Sequence, residues 1–238
     1  MAGCGANSNN TSASSTTAAK AQVRFVEGAP SLEALVGGVP TDIGVTAYLT
    51  VNGMTVATSF LYGSRTPFVP VPAGTLSLVA LDSSGYAVGP VKTSSALAAG
   101  KSYTVILLGA YPNYHALPFE EPASTGDAVV ALYEASPSFP SADFGRFTAS
   151  TGLNKKKLGH AQFGSVVTVS LGKSVSDFGG YVGTGTKPVS RGTVTPVSVN
   201  GFDLNNALPF NNAARLSLFV FDPKSGSSIG PVIGSLDQ

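Results

Sequence analysis

Apolar and polar residues alternate along much of the first half of the chain. Val45, Ala47, Leu49 and Val51 fall on one side of the repeat, and Thr46, Tyr48 and Thr50 on the other. A period of two belongs to a strand with one buried face. Asn52-Gly53 separates this run from a second alternating stretch, Met54 to Phe60. An Asn-Gly pair between such runs predicts a hairpin, because both turn positions need a positive φ. Further strands are expected at Val23–Glu27, Thr66–Val71, Thr75–Leu81, Tyr86–Lys92 and Ser102–Leu108. Turn residues separate them: Pro72-Ala-Gly74, Asp82-Ser-Ser-Gly85 and Ala98-Ala-Gly100. The longest apolar run, Val105 to Ala110, is broken by Gly109 and followed by Pro112, so it reads as one buried strand and not as a membrane span. Seven short strands at this spacing predict a β-sandwich over residues 21–122.

Within that region, Leu97-Ala-Ala-Gly100-Lys-Ser-Tyr103-Thr-Val105 has the form of a tyrosine corner, in which the Tyr hydroxyl returns to an upstream backbone group. An ordinary strand tyrosine fits the same residues. The second half repeats pieces of the first in the same order. Val130–Ser138 aligns with Val23–Ser31, Phe163-Gly-Ser165 with Tyr62-Gly-Ser64, Leu216–Asp222 with Leu76–Asp82, and Gly230-Pro-Val232 with Gly89-Pro-Val91. Residues 126–238 therefore read as a second, diverged sandwich. The tyrosine-corner strand has no obvious counterpart there, so the copy is expected either to be reduced or to borrow a strand. The linker Glu120-Glu-Pro-Ala-Ser-Thr-Gly126 is short enough that the two domains should touch.

Composition narrows the class. There are 14 Lys or Arg and 13 Asp or Glu, only 11% of 238 residues, and the net charge is +1. That is under half the usual charged fraction. It argues against a nucleic-acid binder, which needs a basic surplus, and against a charged disordered tail. With 28 Gly, 16 Pro and 43% hydrophobic residues, a compact, turn-rich, all-β protein is expected. One cysteine, Cys4, excludes an intrachain disulfide framework.

That cysteine stands in Met1-Ala-Gly-Cys4-Gly5, ahead of a stretch to Ala21 made almost wholly of Asn, Ser, Thr and Ala. Such a stretch buries too little apolar surface to order itself and serves as a flexible tether over residues 1–20. Ala-Gly-Cys before this tether resembles the cleavage site of a bacterial lipoprotein, although Met1 stands where such signals usually carry Leu. The resemblance implies lipidation at Cys4 and anchoring to the outer face of a bacterial membrane or cell surface. The other reading is a free cysteine in a tail.

Ala21-Gln-Val-Arg-Phe-Val26, Ala29-Pro30, Val51-Asn-Gly53, Leu61-Tyr-Gly63, Val71-Pro-Ala-Gly74 and Leu97 to Val105 follow one another in an order that resembles the family known as domain of unknown function 4397. The resemblance covers roughly the first half. It implies an immunoglobulin-like sandwich on secreted or surface-attached proteins, and brings no catalytic set with it. Ser31 to Gly44 is longer than the corresponding family segment and reads as a Gly/Pro-containing insertion.

Chemistry-bearing residues are sparse. His115 and His160 are the two histidines, and neither has a His or Cys at metal-ligand spacing. There is no Gly-x-Ser-x-Gly elbow, and Gly183-Thr-Gly185 lacks the Gly-Lys-Ser/Thr ending of a phosphate loop. Asp203-Leu-Asn205-Asn206 lacks the distal Glu of a calcium loop and reads as a turn. Glu120 and Glu121 are neighbours, so on a strand they point to opposite faces and cannot act as an acid/base pair. They are expected in a solvated linker. Lys155 to Lys157 read as solvated charge. Tyr111, Tyr114, His115 and Phe119 crowd nine residues with two prolines. Aromatics on a loop suit a protein or glycan surface. They equally suit the seam between domains, and the short linker favours that.

The sequence thus predicts two tandem immunoglobulin-like antiparallel β-sandwiches in a non-enzymatic surface lipoprotein with a binding, adhesion or structural role. No cofactor, metal or nucleic-acid partner is expected; the membrane, through the lipid, is. The alternatives are an envelope hydrolase and a fibre subunit that assembles by strand exchange.

Overall fold

The computed structural model describes residues 19–29, 33–36, 39–42, 48–58, 60, 62–81, 91–93, 96–110, 112–123, 129–138, 141–147, 154–170, 178–182, 191–192, 195–196, 215–222 and 232–237. All regular structure among them is β. The first half supplies β1 (Lys20–Glu27), β2 (Glu33–Val36), β3 (Val39–Asp42), β4 (Tyr48–Val51), β5 (Met54–Ala57), β6 (Val69–Pro72), β7 (Gly74–Thr75), β8 (Leu78–Leu81), β9 (Val91–Thr93), β10 (Ala96–Leu97), β11 (Ser102–Ala110) and β12 (Asn113–Glu120). The second supplies β13 (Val129–Glu134), β14 (Ser141–Phe147), β15 (Asn154–Gln162), β16 (Val166–Ser170), β17 (Phe178–Val182), β18 (Arg191–Gly192), β19 (Thr195–Pro196), β20 (Arg215–Val220) and β21 (Val232–Asp237).

The expected Asn-Gly hairpin is present between β4 and β5, with Asn52 at φ 49° and Gly53 at φ 80°. The segment read as Thr75–Leu81 is split into β7 and β8, and β8 pairs with β4. Residues 86–90 of the Tyr86–Lys92 expectation lie outside the described set, and Val91 and Lys92 fall in β9. Ser31–Gly44 contributes the antiparallel pair β2 and β3.

The main sheets are mixed, which corrects the antiparallel expectation. The first has the order β6-β1-β11-β12-β9, and the second β16-β13-β20-β21-β19. In the first, β1 runs parallel to β11 and β12 parallel to β9, while β1/β6 and β11/β12 are antiparallel. In the second, β13 runs parallel to β20 and β21 parallel to β19, while β13/β16 and β20/β21 are antiparallel. The two sheets therefore share one order and one set of strand directions. Local alternation cannot reveal this, because strand direction is set by connections far apart in sequence.

β20 stands beside β13 as β11 stands beside β1. The second sheet thus has the strand that appeared to be missing, and the premise for a borrowed strand falls away. The sequence match of Leu216–Asp222 with Leu76–Asp82 does not hold in space, since β8 belongs to the separate β5-β4-β8 sheet. A run such as Leu-Ser-Leu suits any buried strand and carries little register information. The Tyr103 hydroxyl does accept a hydrogen bond from the Ala98 backbone N–H at 3.1 Å, as a tyrosine corner requires.

Alternation assigns the two faces of each sheet. Val23 and Phe25 of β1, with Val105 and Leu107 of β11, pack toward Leu49, Val51, Leu78 and Ala80 of the β5-β4-β8 sheet. The opposite face presents Val26, Ile106, Leu108 and Phe119 to Ala131, Tyr133, Phe219 and Phe221 of the second half. Because both faces are covered, β11 and β13 are apolar nearly throughout instead of alternating. Each phenylalanine buried in this seam contributes about 2 kcal/mol from apolar burial.

Gly109, paired with Tyr114 near the end of the β11–β12 hairpin, has φ 97°. A Cβ there would lie 2.4 Å from the Asn113 backbone oxygen. Gly109→Ala is expected to destabilise the protein by about 1–3 kcal/mol, read as a lower urea midpoint.

Candidate functional site

The aromatic cluster is a strand, not a loop. Tyr114, His115 and Phe119 lie in β12, paired along its length with β11. Tyr114 is buried in the first core, on one face. Phe119 is buried on the other, in the seam, edge-on to Tyr133 with ring centroids 5.6 Å apart. His115 is half-buried, opposite Leu108 and Lys92. Tyr111 and Cys4 lie outside the described residues. Tyr114 and Phe119 therefore form no common exposed surface, and Phe119 packs the seam. Pro118 fits inside β12 because β9 pairs only with Tyr114 to Ala116, so no described ladder needs its missing N–H.

His160 is exposed on β15, in register with Asp143 on β14. Lys155 to Lys157 also lie on β15, so they are not in a loop. Asp203, Asn205, Asn206 and Gly183 to Gly185 lie outside the described residues. No group of three or more metal-ligating side chains occurs among the described residues.

The densest polar chemistry lies around a residue expected in a solvated linker. Glu120 and Glu121 do diverge, as their adjacency predicts. Glu120 is exposed and pairs with Lys101 at 2.8 Å, but Glu121 turns inward, its side chain only 6% exposed. Arg24 of β1, wholly buried, reaches it from the first sheet and Arg215 of β20 from the second, at 3.3 and 2.6 Å. The Arg24 Nη2 also donates to the Tyr133 hydroxyl at 3.2 Å and to Ser217 Oγ at 3.0 Å, both in the second half. Its Nε donates to Thr104 Oγ1 at 2.6 Å, and the Thr104 hydroxyl in turn donates to Glu121 Oε1. Tyr133 donates to Glu121 Oε2 at 2.8 Å, and Arg215 Nη2 to the Pro122 carbonyl at 2.7 Å. The Arg24 guanidinium also lies 5.0 Å from the Phe68 ring centroid and 5.4 Å from that of Phe219.

One carboxylate thus holds two guanidiniums and a phenol drawn from both halves. Burial, and then the negative charge of Glu121, raise the Tyr133 pKa well above its ordinary value. Tyr133 therefore stays a neutral hydrogen-bond donor at physiological pH and cannot serve there as a phenolate nucleophile. The network spends its charges on one another, so its chemistry is that of a clasp. Sequence reasoning could have singled out Arg24, the one charge inside the otherwise apolar middle of β1. A buried Arg demands a carboxylate, but Glu121 lies 97 positions away.

A second polar cluster closes the far end of β20. Glu134 Oε1 accepts the Ser136 backbone N–H at 2.9 Å, just as Glu27 Oε1 accepts that of Ala29 at 2.8 Å. Around each glutamate the backbone pattern is the same. Gly63 N–H donates to the Glu27 carbonyl and Gly164 N–H to that of Glu134, at 2.7 and 2.8 Å. Glu27 N–H donates to the Ser64 carbonyl and Glu134 N–H to that of Ser165, at 2.9 and 3.0 Å. Asp222 is the added element in the second half. Its Oδ1 accepts from the Ser136 hydroxyl and from the Ser138 N–H, the latter at 3.1 Å. Its backbone oxygen accepts the Tyr62 hydroxyl of the first half at 2.7 Å, and the Tyr62 ring stands edge-on to Phe221 at 5.4 Å.

No curated protein matches the chain. A family match begins at residue 34, within β2, and ends at residue 145, within β14, so it takes in most of the first half and crosses the linker. Residues 34–145 match the family described as a domain of unknown function, DUF4397.

Proposed function

We propose that the chain is a non-enzymatic, surface-exposed lipoprotein of the bacterial cell envelope with a binding, adhesion or structural role. It is built as two tandem immunoglobulin-like sandwiches, the second a diverged copy of the first. The shared strand order of the two main sheets supports the tandem reading. The observation that carries the non-enzymatic reading is the Arg24–Glu121–Arg215–Tyr133 network. It is the richest set of charged groups among the described residues, and it joins the two halves instead of lining a cleft. A pair of halves clasped in this way suits a module that presents an outer surface while a tether holds it.

The tether and Cys4 supply the address. A lipid on the cysteine would anchor the module without a membrane-spanning segment. Expression of the full-length precursor in a bacterial host, followed by mass spectrometry of the membrane fraction, tests this. The expected result is an N-terminal peptide beginning at Cys4 and carrying acyl chains. An unmodified Cys4 would remove the lipoprotein reading.

A further inference from the structure

The Glu134 carboxyl group is wholly buried, and its Oε2 has no hydrogen-bond partner. Ser136 links it to Asp222: its N–H caps Glu134, and its hydroxyl binds the Asp222 carboxylate. Asp222 in turn holds Tyr62 of the first half through its backbone oxygen. A carboxyl group placed like Glu134 resists ionisation. Burial does most to push its pKa up to about 8; the Ser136 N–H pulls the other way, and the negative charge of Asp222 raises it further. Asp222 is the charged group among the described residues whose field reaches it. The other neighbours, Ser165 and Gly164 from the turn before β16, bring backbone bonds to its main chain. In the first half, the residue two places after Leu107, the register partner of Glu27, is Gly109. The carboxylate beside the glutamate is thus peculiar to the second half.

We propose that Glu134, Ser136 and Asp222 form a proton-controlled latch on the seam. While Glu134 is neutral, Asp222 stays bonded to Ser136 and Ser138, and its carbonyl retains Tyr62. When Glu134 loses its proton, two carboxylates face each other in a poorly solvated space. Asp222 is displaced, and the Tyr62 ring and hydroxyl leave the second half. The other clasp is not involved. Arg215, which binds Glu121, opens β20, and Asp222 lies just past its end, seven positions on, about 23 Å of extended chain. The seam therefore opens at one end and stays pinned at the other.

Carbon-13 labelling of tyrosine and of glutamate carboxyl carbons in the whole protein allows both events to be followed by NMR from pH 6 to 9.5. Tyr62→Phe assigns the tyrosine signal. The expected result is a Tyr62 ring shift with a single midpoint near pH 8, matching the midpoint of one glutamate carboxyl carbon. Glu134→Gln should abolish that shift; Asp222→Asn, which leaves no second carboxylate to repel, should abolish it too while moving the glutamate carboxyl midpoint to lower pH. A Tyr62 signal that does not move across this range overturns the latch, as does a midpoint that survives in Glu134→Gln. If either variant does not fold, the wild-type protein decides alone. Coincident Tyr62 and carboxyl midpoints support the latch, and separate ones overturn it.

Discussion

Glu121→Gln is expected to lower the stability of the protein by about 3–5 kcal/mol. The substitution keeps the shape and removes the charge. It leaves the Arg24 guanidinium, 0% exposed, without its carboxylate, and Arg215 with only the Pro122 carbonyl on its other nitrogen. Tyr133 keeps its place in the seam but loses a charged acceptor. The cost arises mainly from stranding a buried cation, so it should shrink markedly in Arg24→Met/Glu121→Gln, where only the partly exposed Arg215 is left without its carboxylate. Glu120→Gln, one residue earlier, should leave the unfolding midpoint unchanged, because its pair with Lys101 is exposed and screened. Urea unfolding of the three variants measures this. Equal effects at positions 120 and 121 would contradict the clasp.

The protein should lose stability as pH rises from about 4.5 to about 8, and the loss should trace to Glu134. Its ordinary pKa is 4.5, and in the fold it is pushed up to about 8. Below pH 4.5 both folded and unfolded chains hold this proton, and the group's contribution is fully present. Between the two values the unfolded chain releases the proton while the folded chain keeps it, so unfolding gains about 1.4 kcal/mol per pH unit. Above pH 8 both states have lost the proton and the penalty levels off at roughly 5 kcal/mol. Glu134→Gln cannot ionise, so its stability should exceed that of the wild type increasingly from pH 5 to pH 9. Unfolding free energies at several pH values would show this. Parallel curves for the two proteins would mean that the proton is not held where burial predicts.

Much of the strand content was legible because it rests on local chemistry. Alternation before Asn52-Gly53 located β4 and the turn, where only residues tolerant of positive φ fit. Short apolar runs bounded by Gly and Pro located β1 and β11. β12 was misread as an aromatic loop because its prolines and its two buried faces erase the usual alternation. For the same reason Tyr114 and Phe119, two of the aromatics crowded at 111–119, lie on opposite faces, and Phe119 packs the seam: a crowd of aromatics in sequence says nothing about which face each ring will occupy.

The sequence by itself determined the β class, the places of the tight turns and the fact that Glu120 and Glu121 must diverge, since adjacent side chains in an extended chain point to opposite faces. Only the tertiary structure decided that the main sheets are mixed and share one order, and that their faces meet in a seam. It also decided which of the two glutamates is buried. That choice belongs to Arg24 and Arg215, 97 and 94 positions from Glu121. No local pattern records a partner that distant, and a buried charge is tolerable only where the fold supplies one.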